Sequence, residues 1–414
     1  MNFPMSDRTK KILIHIMFGM FAVFVMSFLG PRTIQAGGLY VPEIIIIVVV
    51  TTLWMLDSTY LVFLIQHTLK VRVASFILIL LFFMCLGCIN TGDLAGSYTD
   101  FRALLGLVYA FVISSNRKID RIVDRYLVYT CLFNVVFDTF VTLTRGNDAI
   151  KVQFNFFADV ILISYYARHG NSKGFIACAL LLITQAVFSN YRSYWVVAII
   201  AIIIYFILLI KKQHLNKYEL IAKTTVFFAI FLAGTLIYLN IDEILAYVPG
   251  SQVQTYGKFN DLLNMINGGN AAESDQVHSQ AFTITLQHPE IFLIPHGLGF
   301  KAALDLPKQE VRGYSSYTIA NTIDCGYYYL AYHFGVFGYV FIATIIGIVI
   351  SSLILITNKN RYEYICCIII TSVYLIFTGN LFVVLPTALM AGSYVGIAWR
   401  NASSFHCHGN IFKK

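Results

Sequence analysis

The chain has 414 residues, 58% of them hydrophobic and only 12% charged, with 29 Lys and Arg against 21 Asp and Glu for a net charge of +8. A soluble domain carries roughly 25% charged residues, so this composition excludes a water-exposed surface over such a length. The basic excess does not mark a nucleic-acid interface, because the Lys and Arg fall in short stretches between apolar runs, mostly at alternate junctions; no nucleic-acid partner is expected.

The apolar runs approach the ~20 residues that a helix needs to cross a bilayer. In lipid every backbone polar group must be paired internally, so such runs must be helices. A membrane barrel needs alternating segments of ~10 residues, and Ile44-Ile45-Ile46-Ile47-Val48-Val49-Val50 does not alternate. The expectation is an all-α polytopic membrane protein with about 12 transmembrane helices and one long loop.

In chain order, Arg8, Lys10 and Lys11 precede a first span over Ile12 to Leu29, which lacks a clear cleavage site and is read as a retained helix. The second span runs from Ile44 to Gln66, the third from Val73 to Ile89 and the fourth from Phe101 to Ser115, leading to Arg117, Lys118, Arg121 and Arg125. The fifth covers Tyr126 to Leu143, the sixth Phe154 to Ala167, the seventh Gly174 to Phe188, the eighth Tyr194 to Ile210 and the ninth Ile221 to Leu239. A long polar stretch, Asp242 to Ile323, follows. Three further spans close the chain: Tyr332 to Ile356, Tyr364 to Phe377 and Leu381 to Trp399. The organisation is therefore 1–241 with nine spans, 242–323 as an outer loop, and 324–414 with three spans and a tail. Most Lys and Arg lie on the side that holds Lys70, Arg117, Lys211 and Lys359, which makes that side and both termini cytoplasmic.

The outer loop carries helical periodicity. Phe259, Leu262, Leu263 and Ile266 recur at i, i+3, i+4 and i+7 and are stopped by Gly268-Gly269. This amphipathic helix suits a membrane interface. A second helix fits Ser274 to Gln287, and Pro289 helps end it. Six cysteines, Cys85, Cys88, Cys131, Cys178, Cys366 and Cys367, sit in apolar runs and read as small hydrophobes, so no disulfide framework is expected. His406-Cys407-His408 on the tail is a weak metal signal.

Four outer-side features could carry chemistry. Asn190-Tyr191-Arg192-Ser193 lies in a very short hairpin between the seventh and eighth spans. A cation there would meet phosphate oxygens at the bilayer surface, for which the rigid guanidinium fork is suited; the plainer reading is a snorkelling anchor. His288-Pro289-Glu290 precedes His296-Gly297-Leu298-Gly299, whose glycines would let backbone approach a ligand closely, or simply form a turn. Arg312 stands in a polar loop as a further cation. Last comes Asp324-Cys325-Gly326-Tyr327-Tyr328-Tyr329-Leu330, an acid at a helix mouth with aromatics behind it that could bind sugar, or a belt of interfacial tyrosines. Asp57, Asp138 and Asp159 fall inside spans, where a carboxylate is costly unless paired.

From the long loop onward the chain resembles the Wzy-type polysaccharide polymerases and the related O-antigen ligases. The matching pieces are Ser189-Asn190-Tyr191-Arg192, His288-Pro289 with Gly297-Leu298-Gly299, Asp324-Cys325-Gly326-Tyr327-Tyr328-Tyr329-Leu330, and Gly335-Val336-Phe337-Gly338. The specific likeness covers about 190 to 340, and the earlier part is similar only as a run of membrane helices. Relatives often carry a second Arg at the start of the helix before the His-Pro. Here that helix reads Ser274-Asp275-Gln276-Val277-His278, so His278 stands in its place, with Arg312 as the other candidate.

The resemblance implies a bacterial inner-membrane enzyme whose loop is periplasmic. Its donor is a glycan on undecaprenyl pyrophosphate and its acceptor a repeat unit on a second lipid carrier. A flippase and a chain-length regulator of the same pathway are the implied partners. Arg192 would stabilise the leaving pyrophosphate, with Arg312 or His278 assisting, and Asp324, His296 and His288 are candidates for the base. Tyr327 and Tyr328 would contact sugar. The outer loops hold no Asp-x-Asp motif and no clustered metal ligands, so metal-independent transfer with no cofactor is expected.

The alternatives are an O-antigen ligase and a polytopic transporter. Ligases commonly show a His where Asp324 stands. Major-facilitator transporters have two similar halves around a central connection, and no half-repeat is visible here. An acyltransferase lacks an evident His-Asp pair.

Reporter fusions check the topology. Fusions at Lys211 and Lys359 should report a cytoplasmic position, and fusions within 242–323 a periplasmic one. A periplasmic reporter active at Lys211 would overturn the topology.

Overall fold

In the structure, a computed structural model, the described residues are 35–36, 39–56, 70–116, 120–144, 155–188, 192–213, 290–299, 325–354, 362–378 and 380–408, with a few single positions elsewhere. The expected first and ninth spans, the later part of the second, Asp57, both expected loop helices, and His278, His288, Arg312 and Asp324 lie outside them.

The described chain is helical apart from a two-residue antiparallel pairing of β1 (Gln35–Ala36) with β2 (Leu39–Tyr40). The helices are α1 (Val41–Leu56), α2 (Val71–Thr91), α3 (Leu94–Ser114), α4 (Asp120–Thr144), α5 (Phe156–Arg168), α6 (Ser172–Phe188) and α7 (Arg192–Gln213). After them come α8 (Glu290–Leu293), α9 (Gly326–Phe334), α10 (Val336–Ile354), α11 (Tyr362–Phe377), α12 (Asn380–Val383) and α13 (Leu385–His408). Two of the helical stretches, Val73–Thr91 and Tyr194–Lys211, are long and apolar enough to cross a membrane; Ser172–Ala186, Val336–Ser351 and Tyr362–Phe377 are shorter apolar helices.

Two compact units divide the chain within α4, between Asn134 and Val135. The first holds α1 to α3, the start of α4, and α8 to α13. Its main seam joins α3 to α13 through small residues. Gly106, Ala110 and Ser114 recur every fourth position on α3, and Gly392 and Gly396 do so on α13. A Cβ at Gly396 would stand 2.7 Å from the Phe111 carbonyl oxygen, and one at Gly106 2.7 Å from Leu385. This is the small-x-x-x-small packing by which helices approach closely without a hydrophobic drive. At one end of α13, Arg400 pairs with Asp124 of α4 at 2.6 Å. Beside it Asn401 donates to Glu363 of α11 at 3.2 Å.

In the second unit α5, α6 and α7 pack on one another. Phe156 to Ser164 of α5 are all buried, so this helix is enclosed on every side. Its turn into α6 is capped by Asn171, whose side-chain oxygen accepts from Gly174 N at 3.0 Å.

Two boundaries differ from the sequence reading for physical reasons. The fourth span was expected to begin at Phe101, yet α3 begins at Leu94. Asp93 caps it, accepting from Gly96 N at 2.9 Å. Ser97 and Thr99, which look like loop residues, return their hydroxyls to the carbonyls of Asp93 and Ala95. The expected span Tyr332 to Ile356 is broken at Gly335 (φ +57°), which separates the short α9 from α10.

Gly392→Leu should lower the midpoint of thermal unfolding of the solubilised full-length protein, because overpacking a close seam costs about 1–3 kcal/mol. Gly347→Ala, where an added methyl meets nothing within 4 Å, is the control and should leave the midpoint unchanged or slightly raised. Equal effects of the two would remove the seam's role.

Candidate functional site

Within the first unit the segment Pro295 to Gly299 docks onto α2, α3 and α9, largely through its own backbone. The last carbonyls of a helix have no partner inside it, and α9 ends at Phe334. The segment supplies the donors: Gly297 N bonds to the His333 carbonyl at 3.0 Å, and the His296 ring nitrogen Nδ1 lies 3.0 Å from the Tyr332 carbonyl. His333 Nδ1 in turn reaches the Gly297 carbonyl at 2.6 Å. Leu298 N donates to the Phe83 carbonyl on α2 at 2.9 Å, and Asn90 Nδ2 to the His296 carbonyl at 2.8 Å.

The glycines permit this contact. Gly297 and Gly299 have φ of +85° and +73°, where a side chain is strained. A Cβ on Gly297 would run into the backbone of Gly87, and one on Gly299 into that of Gly96 and Ser97. The sequence left two readings of these glycines, close approach to a ligand or a plain turn; what their backbone approaches here is the protein's own helices.

Asp100 of α3 was not singled out from the sequence. Its Oδ2 accepts from Gly299 N at 2.9 Å and from the Tyr329 hydroxyl at 2.8 Å, and the carboxylate is buried. Burial, and then the neighbouring Asp100 carboxylate, hold the Tyr329 phenol well above its usual range, so it remains a neutral donor. His333, also missed, lies with its ring 4.0 Å from that of Tyr329. The available signal was Asp100-x-Arg102, two charges at the edge of an apolar run.

A row of rings borders the docked segment. Phe292 meets Tyr328 edge-on at 5.2 Å, Tyr328 stacks on Tyr332 at 5.8 Å, and Tyr332 stacks on His296 at 4.5 Å with only 3° between planes. His296 and Tyr328 are half-buried, while Tyr332 is buried. A carbonyl only accepts, so His296 Nδ1 carries a hydrogen, and in the neutral ring Nε2 is then the acceptor nitrogen. That tautomer can take a proton from a hydroxyl.

The structure thus brings His296 and Tyr328 together through Tyr332. Tyr327 turns toward α11 instead, its hydroxyl donating to the Ser372 carbonyl at 3.3 Å. Burial raises its phenol, partly offset by the Ser372 side chain. Arg192 is the first residue of α7, in the second unit. Among the described residues no group of three or more His, Cys, Asp and Glu could hold a metal ion.

The chain matches no protein-family model, no curated protein and no solved structure.

Tyr329→Phe should destabilise the protein by about 1.5–3 kcal/mol, the worth of a hydrogen bond to a charged group. Asp100→Ala should cost more, because Gly299 N loses its acceptor too. In a double-mutant cycle read by thermal unfolding, the two should be strongly non-additive; simple additivity would show that the contact contributes nothing.

Proposed function

We propose that the protein is a polysaccharide polymerase of the bacterial inner membrane, joining lipid-pyrophosphate-linked repeat units at the periplasmic face. The observation that carries this reading is the docking of His296-Gly297-Leu298-Gly299 onto α9. Two separate stretches of the resemblance meet and orient a histidine beside tyrosines.

The membrane part of the reading rests on composition and on what the helices leave bare. On α2, Leu78, Phe82 and Ile89 are 66%, 60% and 79% exposed, and on α10 Val336, Phe337, Val340 and Ile350 are each more than half exposed. Apolar surfaces of this extent belong against lipid or another apolar partner. The reading has twelve spans, both termini in the cytoplasm and residues 242–323 in the periplasm.

In the proposed reaction a hydroxyl of the acceptor sugar attacks the anomeric carbon of the donor. The carbon–oxygen bond to undecaprenyl pyrophosphate breaks, and the hydroxyl proton passes to a base. His296 Nε2 is the candidate base with a defined tautomer; Asp324 and His288 remain the others. Arg192 neutralises charge on the departing pyrophosphate, and Arg312 or His278 adds a second contact. Tyr328 offers a ring face to sugar.

Loss of the gene should leave single, unpolymerised repeat units; long glycan stranded on undecaprenyl pyrophosphate would indicate the ligase instead. Arg192→Ala should lower polymer formation by at least about one to two orders of magnitude, since a bond to a charged group is worth about 1.5–3 kcal/mol and each 1.4 kcal/mol is tenfold. Arg192→Lys should retain partial activity. Full-length glycan made by Arg192→Ala at normal abundance would reduce Arg192 to an interfacial anchor.

A further inference from the structure

Helices α4, α5 and α6 of the second unit converge on a buried polar cluster that the polymerase reading does not use. Asp138 and Thr139 come from α4, Asn155 and Asp159 from the start of α5, and Gln185 from α6; all are buried. The donors between them are engaged. Asn155 N donates to Asp138 Oδ2 at 3.0 Å. Gln185 Nε2 donates to the Val135 carbonyl at 2.9 Å and to Thr139 Oγ1 at 2.8 Å. The Thr139 hydroxyl itself donates to the Val135 carbonyl at 2.7 Å.

What remains is acceptor. Asp159 is fully buried, and beyond the proximity of its own amide neither carboxyl oxygen receives a hydrogen bond; nor does Gln185 Oε1. Asp138 is the carboxylate that Asp159 feels across the cluster. Each buried acceptor left this way costs about 1–3 kcal/mol, and more when charged.

A proton does not resolve this arrangement. Asp159 has no hydrogen-bonding partner in reach, so it does not share a proton directly with Asp138. A proton on one of its oxygens would itself need an acceptor and would leave the other oxygen and Gln185 Oε1 as they are. A hard cation takes carboxylate and amide oxygens together. A single unengaged carboxylate among neutral oxygens balances one positive charge and would leave a second uncompensated, so the cluster suits a monovalent cation better than a divalent one.

We propose that this cluster is a monovalent-cation site occupied by Na+, with Asp159 as its anionic ligand and Gln185 Oε1 as a neutral one. The site stabilises the α4–α5–α6 packing when filled, and it is independent of the polysaccharide reading.

The test uses purified full-length protein in detergent at fixed pH and constant ionic strength, with Na+ replacing choline. The thermal midpoint should rise saturably with Na+, as for any ligand that binds the folded state, and equilibrium dialysis with 22Na+ should approach about one ion per chain. Asp159→Asn keeps the size but removes the charge and should abolish both. Gln185→Leu should raise the half-saturating Na+ concentration about tenfold or more, the effect of losing about 1.4 kcal/mol of binding. A wild-type midpoint indifferent to Na+ with no 22Na+ retained would overturn the proposal in favour of water or a proton. Undiminished 22Na+ binding by Asp159→Asn would overturn it too. If the variants do not fold, the wild-type stoichiometry decides alone.

Discussion

Everything arranged around His296 depends on one buried carboxylate. Asp100 receives the amide of Gly299 and the hydroxyl of Tyr329 on the same oxygen, and so joins α3, the docked segment and α9. Hydrogen bonds to an ionised group are stronger than neutral ones, and a buried carboxylate that lost them would carry its desolvation cost uncompensated. The segment therefore has one low-energy seat. Its carbonyls and amides are matched to the open end of α9, and the histidine ring is oriented by the Tyr332 carbonyl and by stacking on the Tyr332 ring. That differs from the common arrangement in which a carboxylate holds the histidine.

Much of the helical order was legible from hydropathy, because span length and the absence of water in lipid leave few alternatives. The expected third, sixth, seventh, eighth and eleventh spans coincide with α2, α5, α6, α7 and α11 to within a few residues. What periodicity missed has a common cause. Ser97, Thr99 and Asp100 look like loop when polarity is counted, yet each returns its polar group to the fold, and a capped helix then costs nothing to extend. The break at Gly335 was hidden for the opposite reason: the sequence stays apolar across it, and only the left-handed glycine shows the turn.

The site was partly legible. His296 and Tyr328 are linked through Tyr332, on which both rings stack. The role of Gly297 and Gly299 was legible only as a need for close approach. Sequence carries no information on which surface is approached, and here the helix backbone of Gly87, Gly96 and Ser97 fills the space. Asp100 and His333 escaped because their partners in these bonds are 199 and 36 residues away, and the only local mark on Asp100 was the charge of Arg102 two residues on.

The small-residue seam between α3 and α13 explains how the histidine's seat is held in place. Between helices in lipid, burial of apolar surface gains little, so association falls to close packing and polar pairs. Ala110 and Ser114 meeting Gly392 and Gly396, and Gly106 meeting Leu385, bring the two backbones together along the middle of the pair, and Arg400–Asp124 adds a charged contact at one end. At the other end, α3 carries Asp100 and α12, which leads into α13, carries Phe382, whose ring stacks on Tyr329 at 5.2 Å. The same phenol is thus gripped by its hydroxyl from α3 and by its face from α12. A change in the distance between α3 and α13 would pull these two contacts apart, so the seam fixes Tyr329, Tyr329 fixes α9, and α9 fixes the carbonyls that orient His296.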